Sequence, residues 1–91
     1  MKVTAHIRVS GRVQGVGYRF FTVRNAELFG LTGFVRNCSD GSVEILVEGE
    51  KEIIEQFHKI LKNGPRFSLV NTVDLRFDTY QAKYNNFLVD Y

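Results

Sequence analysis

Residues Gly11-Arg12-Val13-Gln14-Gly15-Val16-Gly17-Tyr18-Arg19 separate two different periodicities in the chain. Before them, Val3, Ala5, Ile7 and Val9 alternate with Lys2, Thr4, His6, Arg8 and Ser10, the period of two required by a strand with one buried face. After them, Tyr18, Phe21, Thr22, Ala26 and Phe29 recur at three- and four-residue spacing, which predicts a helix from about Tyr18 to Phe29. Asn25 interrupts that apolar stripe, and Gly30 is placed to end the helix in a left-handed conformation. Phe20, Val23 and Leu28 fall off the stripe and read as scattered surface apolar residues.

Working outward, Leu31 to Asn37 reads as a second strand, and Asp40-Gly41 is a hairpin signal. Ser42 to Glu48 follows as a third strand, with Val43, Ile45 and Val47 on one face and Gly49 as its break. Glu50 to Lys62 carries a helical stripe of Ile53, Ile54, Phe57, Ile60 and Leu61, and Asn63-Gly64-Pro65 stops it. Phe67 to Phe77 reads as a long strand in which Leu69, Val73, Leu75 and Phe77 share a phase that Val70 breaks, so a bulge is expected. Tyr80 to Asn86 is polar and reads as a loop before a short strand over Phe87 to Tyr91. The order β-α-β-β-α-β plus a terminal strand predicts an α+β fold, a ferredoxin-like sandwich with two helices on one face of an antiparallel sheet. Arg8, Glu44 and Glu48 are expected as solvated cross-strand partners on the uncovered face, with His6 and His58 also solvated.

The 91 residues suffice for one domain, expected over 1–91, and 44% hydrophobic content supports a core. Twelve Lys and Arg against ten Asp and Glu leave +2, too balanced to argue for nucleic acid or an anionic membrane as partner. The first strand also lacks the aromatic phase of an RNA-binding sheet. Residues 1–10 lack a signal peptide's apolar block, so a cytoplasmic location is expected. A single cysteine, Cys38, excludes an internal disulfide, and His6 and His58 stand in no metal-binding motif, so no metal is expected.

A glycine-punctuated loop between a strand and a helix start suits an anion, because backbone N–H groups meet there at the positive end of the helix dipole. Arg19 adds a cation whose planar fork matches phosphoryl oxygens. Such a loop alone is most often only a turn. It is not a Walker loop, since no Gly-Lys-Ser/Thr follows, and Phe20 occupies the third glycine position of a dinucleotide fingerprint. Arg19 alone reads as a surface arginine, and Asn37 alone as a strand-end turn residue.

Taken together, Gly11 to Arg19 resembles the signature loop of the acylphosphatases. Gly33-Phe34-Val35-Arg36-Asn37, followed by Asp40-Gly41-Ser42-Val43-Glu44, resembles their second signature. The resemblance runs from the first strand to the last. It implies a metal-free, cofactor-free hydrolase that cleaves the carboxyl-phosphate anhydride of acyl phosphates. It also implies that Arg19 and the amides of Gln14, Gly15, Val16, Gly17, Tyr18 and Arg19 bind the phosphoryl group, and that Asn37 orients the attacking water. Its partners would be a small acyl phosphate and inorganic phosphate or sulfate as the site anion, with the protein a monomer. Phe34 stands where many members have Trp, Tyr18 where many have Phe, and Asn25 where an apolar residue is usual. The competing reading is a non-catalytic phosphate-binding or protein-interaction module on the same fold. The joint presence of Arg19 and Asn37 favours the enzyme, while no side-chain cluster in the sequence identifies an acyl pocket.

Overall fold

The computed structural model describes all of residues 1–91. The chain forms β1 (Lys2–Arg12), α1 (Tyr18–Leu28), β2 (Thr32–Asn37), β3 (Val43–Glu50), α2 (Lys51–Asn63), β4 (Leu69–Thr79) and β5 (Phe87–Val89). The five strands lie in the order β4-β1-β3-β2-β5. The first four are antiparallel, while β5 pairs parallel to β2, Gly33 facing Phe87. The expected antiparallel sheet is thus formed by four strands, and the short C-terminal strand joins its edge in parallel, making the whole sheet mixed. β4 and β5 occupy opposite edges, so the connection between them must cross the sheet.

The alternation in β1 puts Val3, Ala5, Ile7 and Val9 into the core beside Val43, Ile45 and Val47 of β3. Tyr18 and Ala26 of α1 and Ile54, Phe57 and Leu61 of α2 cover them. Polar residues in the α1 stripe satisfy themselves within the helix. The Thr22 hydroxyl donates to the Tyr18 carbonyl at 2.9 Å, and Asn25 Nδ2 donates to the Phe21 carbonyl at 2.8 Å. Gly30 does end α1 with a left-handed φ of 69°.

Several boundaries move for identifiable reasons. β1 runs past Ser10 through Gly11 and Arg12, because Ser10 faces Thr72 but Gly11 faces Val70. Asn71 is thus the extra residue of a bulge in β4. The bulge returns Val70 to the core and turns Leu69 outward, 66% exposed, which reverses their expected roles. Gly49 does not break β3; it pairs with Val3 within the ladder. Its missing side chain makes room for Leu31, since a Cβ there would lie 2.4 Å from Leu31 Cδ2. Gly33 is required by both backbone and space. Its φ is 140°, and a Cβ would stand 1.9 Å from the Leu46 carbonyl oxygen.

The largest correction concerns Thr4 and Glu48, directly opposed on β1 and β3. Both belong to the face away from the helices, yet both are buried. Residues 80–86 cross over them on the way to β5. The Thr4 hydroxyl donates to Glu48 Oε2 at 2.7 Å, and the Gln81 amide donates to Thr4 Oγ1 at 3.0 Å. The amides of Lys83 and Tyr84 donate to Glu48 Oε1 at 2.9 and 3.3 Å. Glu48 is the clamp that holds the crossing segment to the sheet, not a solvated pairing partner. Arg36 takes Glu44 instead, and Arg8 turns to the β2–β3 turn. No helix is long and apolar enough to cross a membrane.

Burial pushes the Glu48 carboxyl up, but the hydrogen bonds from Thr4, Lys83 and Tyr84 outweigh it and hold it below its ordinary value of 4.5. A depressed folded value gives stability that is present above the unfolded carboxylate range and lost as pH falls through the folded value. Glu48→Gln is therefore expected to lower stability at neutral pH by about 1–3 kcal/mol. Denaturant titrations from pH 7 to 3 should also show a shallower acid loss in the variant. Equal pH slopes for the two proteins would remove Glu48 as a source of the acid dependence.

Candidate active site

The signature loop stands on two buried feet. Val13 and Tyr18 are each 1% exposed, and the Tyr18 hydroxyl donates to the Leu61 carbonyl of α2 at 2.7 Å. Burial raises the Tyr18 phenol far above its usual value, so it remains a donor. Between the feet the chain arches outward, with Gly15 and Gly17 exposed at φ of 74° and 83°. Left-handed backbone of this kind forms the concavities in which successive amides hold anions. Gly17 is the N-cap of α1, and no side chain caps that helix end. The amides of Gln14, Gly15, Val16, Gly17, Tyr18 and Arg19 donate to no group of the protein. The first bond in this stretch is from the Phe21 amide to the Gly17 carbonyl. Six donors at a helix start are thus left for a ligand or solvent.

The Gln14 side chain, to which the motif assigned no role, ties the loop to the rest of the fold. Its Nε2 donates to the carbonyls of Cys38 and Ser42 at 2.8 and 2.9 Å, tying the loop to the β2–β3 turn. That turn is itself tightly held. The Cys38 amide donates to the Ser42 carbonyl, and Asp40 Oδ1 accepts from the Ser42 amide and hydroxyl. Arg8 donates to Ser42 Oγ and lies 3.5 Å from Asp40. The two bonds from Ser42, with Arg8 adding a smaller share, keep the Asp40 carboxyl below its usual range. Asn37 closes β2 immediately before this turn and so inherits a fixed position.

Gly15, Gly17, Tyr18 and Arg19 meet Asn37 around one cleft of about 300 Å³. Gln14 and Val16 do not line it with side chains; Gln14 faces the turn and Val16 packs on the core. Arg19 is half-buried and makes no ion pair or hydrogen bond with the protein. Its guanidinium carbon lies 5.2 Å from the centre of the Tyr91 ring. Asn37 Oδ1 is shielded and has no hydrogen-bond partner. An unsatisfied buried acceptor costs about 1–3 kcal/mol, and such groups gather where function needs them.

Sequence reasoning missed the remaining wall of the cleft, formed by Phe20, Val23, Val89 and Tyr91. The off-stripe positions of Phe20 and Val23 were the available signal. The residues opposite them come from the C-terminal segment, which only the β2–β5 pairing brings there.

The family model for acylphosphatase matches residues 5–89, nearly the whole of this architecture. The chain belongs to the acylphosphatase family. It is 39% identical over 89 residues to an acylphosphatase of Caldanaerobacter subterraneus subsp. tengcongensis, covering 98% of this chain and 99% of that one. Against an acylphosphatase of Bifidobacterium longum the identity is 48% over 71 residues, 78% of this chain and 73% of that one. Among solved structures, the acylphosphatase of Bacillus subtilis superposes with a TM-score of 0.95 at 37% identity, covering 98% and 99% of the two chains. The fold is the ferredoxin-like one of these acylphosphatases.

The Gln14 bonds generate a test of how this acylphosphatase loop is held. Gln14→Ala removes one of the two donors to each of the Cys38 and Ser42 carbonyls, which keep the Gly41 and Cys38 amides, and should cost about 1 kcal/mol of stability. Amide exchange at residues 14–18 should accelerate beyond the global loss seen by denaturant. Unchanged exchange there would mean that Val13 and Tyr18 hold the loop without it.

Proposed function

We propose that the protein hydrolyses acyl phosphates to a carboxylate and inorganic phosphate, with Arg19 and the loop amides binding the phosphoryl group and Asn37 orienting the water. Family membership and the solved relatives support acyl phosphate hydrolysis at large. The observation that carries the finer reading is the meeting of six unpartnered amides, an unpaired Arg19 and an unsatisfied Asn37 around one cleft.

The chemistry asks little more. The leaving carboxylate is a stable anion, so departure needs no strong general acid. The water oxygen forms a bond to phosphorus, the bond from phosphorus to the acyl oxygen breaks with its electron pair, and the carboxylate leaves. The water proton passes to a phosphoryl oxygen, because Asn37 is a poor base. Transfer of this kind is governed by positioning and by electrostatic stabilisation of the equatorial oxygens. Arg19 and the loop amides supply the charge, in a preset arrangement that needs little reorganisation. The Asn37 amide carries both an acceptor and donors, so it can fix a water at one angle. On this reading the positive charge comes from the protein itself, the reaction needs no metal or cofactor, and phosphate or sulfate is the site anion.

The deciding experiment is benzoyl phosphate hydrolysis by the purified protein in excess chelator. Turnover should persist. Arg19→Ala should lose both phosphate binding and turnover. Asn37→Ala should keep phosphate binding while turnover falls about a hundredfold or more. Near-normal turnover in Asn37→Ala would overturn its water-holding role. A folded protein that binds phosphate yet turns over nothing would instead be a phosphate-binding module.

A further inference from the structure

We infer that Phe20, Val23, Val89 and Tyr91 form an acyl-group subsite that favours apolar, ring-sized acyl phosphates over small ones. The inference rests on the phosphoryl reading just given. The acyl group is covalently joined to the phosphorus through one oxygen, so binding the phosphoryl group at the loop confines it to the same cleft. The glycine loop, Arg19 and Asn37 make up one side of that cleft, and these four residues make up another. None of the four carries a charge at neutral pH on its side chain. A second anionic group on the substrate would find only Arg19, which the phosphoryl group already engages. An apolar acyl group would instead meet two aromatic rings and two valines.

The exposure of the aromatic pair gives independent support. Phe20 is 72% and Tyr91 96% exposed, although both border a cleft. Single exposed apolar residues need no explanation, but adjoining ones at the mouth of a site mark a contact surface. Phe20 immediately follows Arg19 on α1 and lines the same cleft. The centre of the Tyr91 ring lies 5.2 Å from the Arg19 guanidinium carbon. The ring of an aryl acyl group seated in the cleft would shield apolar surface of both residues. Phe20 also lies outside the core, so its removal leaves the packing of the fold intact.

The test compares benzoyl phosphate with acetyl phosphate by kcat/KM, in the wild-type protein and in Phe20→Ala and Tyr91→Ala. The intrinsic reactivities of the two substrates cancel when their ratio is compared between proteins. The benzoyl-to-acetyl ratio should fall by about five- to tenfold in Phe20→Ala, the range expected for a partly open apolar wall. A fall in the same direction is expected for Tyr91→Ala. Circular dichroism and thermal melts check that both variants fold. Ratios unchanged in both folded variants, with both substrates still hydrolysed, would overturn the subsite and leave the hydrolase reading standing. Hydrolysis of neither substrate by the wild-type protein would overturn both.

Discussion

β1 is hydrogen-bonded along both of its edges, to β3 on one side and β4 on the other, and this double pairing sets what the loop after it can do. A strand held on both sides ends at a fixed point. The bulge opposite Gly11 carries that pairing through Arg12, right to the foot of the loop. Val13 then drops into the core, and five residues on Tyr18 does the same. The chain between has its ends fixed and its backbone free. That is how amides can be left unpaired without the segment collapsing onto a neighbouring carbonyl. Secondary structure normally consumes such donors, and here its absence is confined to one short arch.

The second half of the site depends on the first through a single side chain. Gln14 spans from the loop to the carbonyls of Cys38 and Ser42, so the arch and the β2–β3 turn move as one body. The turn is further tied by Asp40, Ser42 and Arg8, a residue of β1 itself. Asn37 therefore sits at the end of a strand whose following turn is referenced back to β1, the strand that leads into the loop before Arg19. The loop bearing Arg19 and the strand end bearing Asn37, the two groups proposed to act on the phosphoryl centre, are kept in register by a closed circuit of short bonds. Positioning groups lose their value over errors of about 1 Å, so such a circuit matters more than any one bond's energy.

Much of this was legible before the fold was known, and the reason is that it is local. Period two in Val3 to Val9, period 3.6 after Tyr18, and the Asp40-Gly41 turn are all set by residues within a few positions of each other. The phase break at Val70 even forecast the bulge. What could not be read was non-local. Thr4 and Glu48 look like solvent-facing partners in their strands, and only the passage of residues 80–86 over them makes them buried. Gly49 looks like a breaker because its neighbour Leu31 is far away in sequence. The parallel pairing of β5 depends on which edge the crossing segment reaches. The same crossing delivers Val89 and Tyr91 to the cleft, so the apolar wall was invisible for the same reason.

Glu48 thus links two ends of the molecule that share no direct contact. It clamps the segment that leads into β5, and β5 leads into the residues beside Arg19. Its carboxylate accepts from Thr4 on β1 and from Lys83 and Tyr84 of the crossing segment, so loss of its charge weakens the segment's hold on β3 and leaves the Gln81 bond to Thr4 as its tie to β1. The phosphoryl side of the cleft would be little disturbed, because β1, Gln14 and the β2–β3 turn hold it independently. The side bearing Val89 and Tyr91 rests on β5, which is three residues long, lies at a sheet edge and is held by its pairing with β2 and by buried Phe87. The cleft accordingly has one wall fixed by the circuit through Gln14, where the proposed phosphoryl reading needs charge placed to within about an ångström. On the acyl-subsite proposal its other wall has to match only the shape of an apolar group, a demand that a short edge strand can meet.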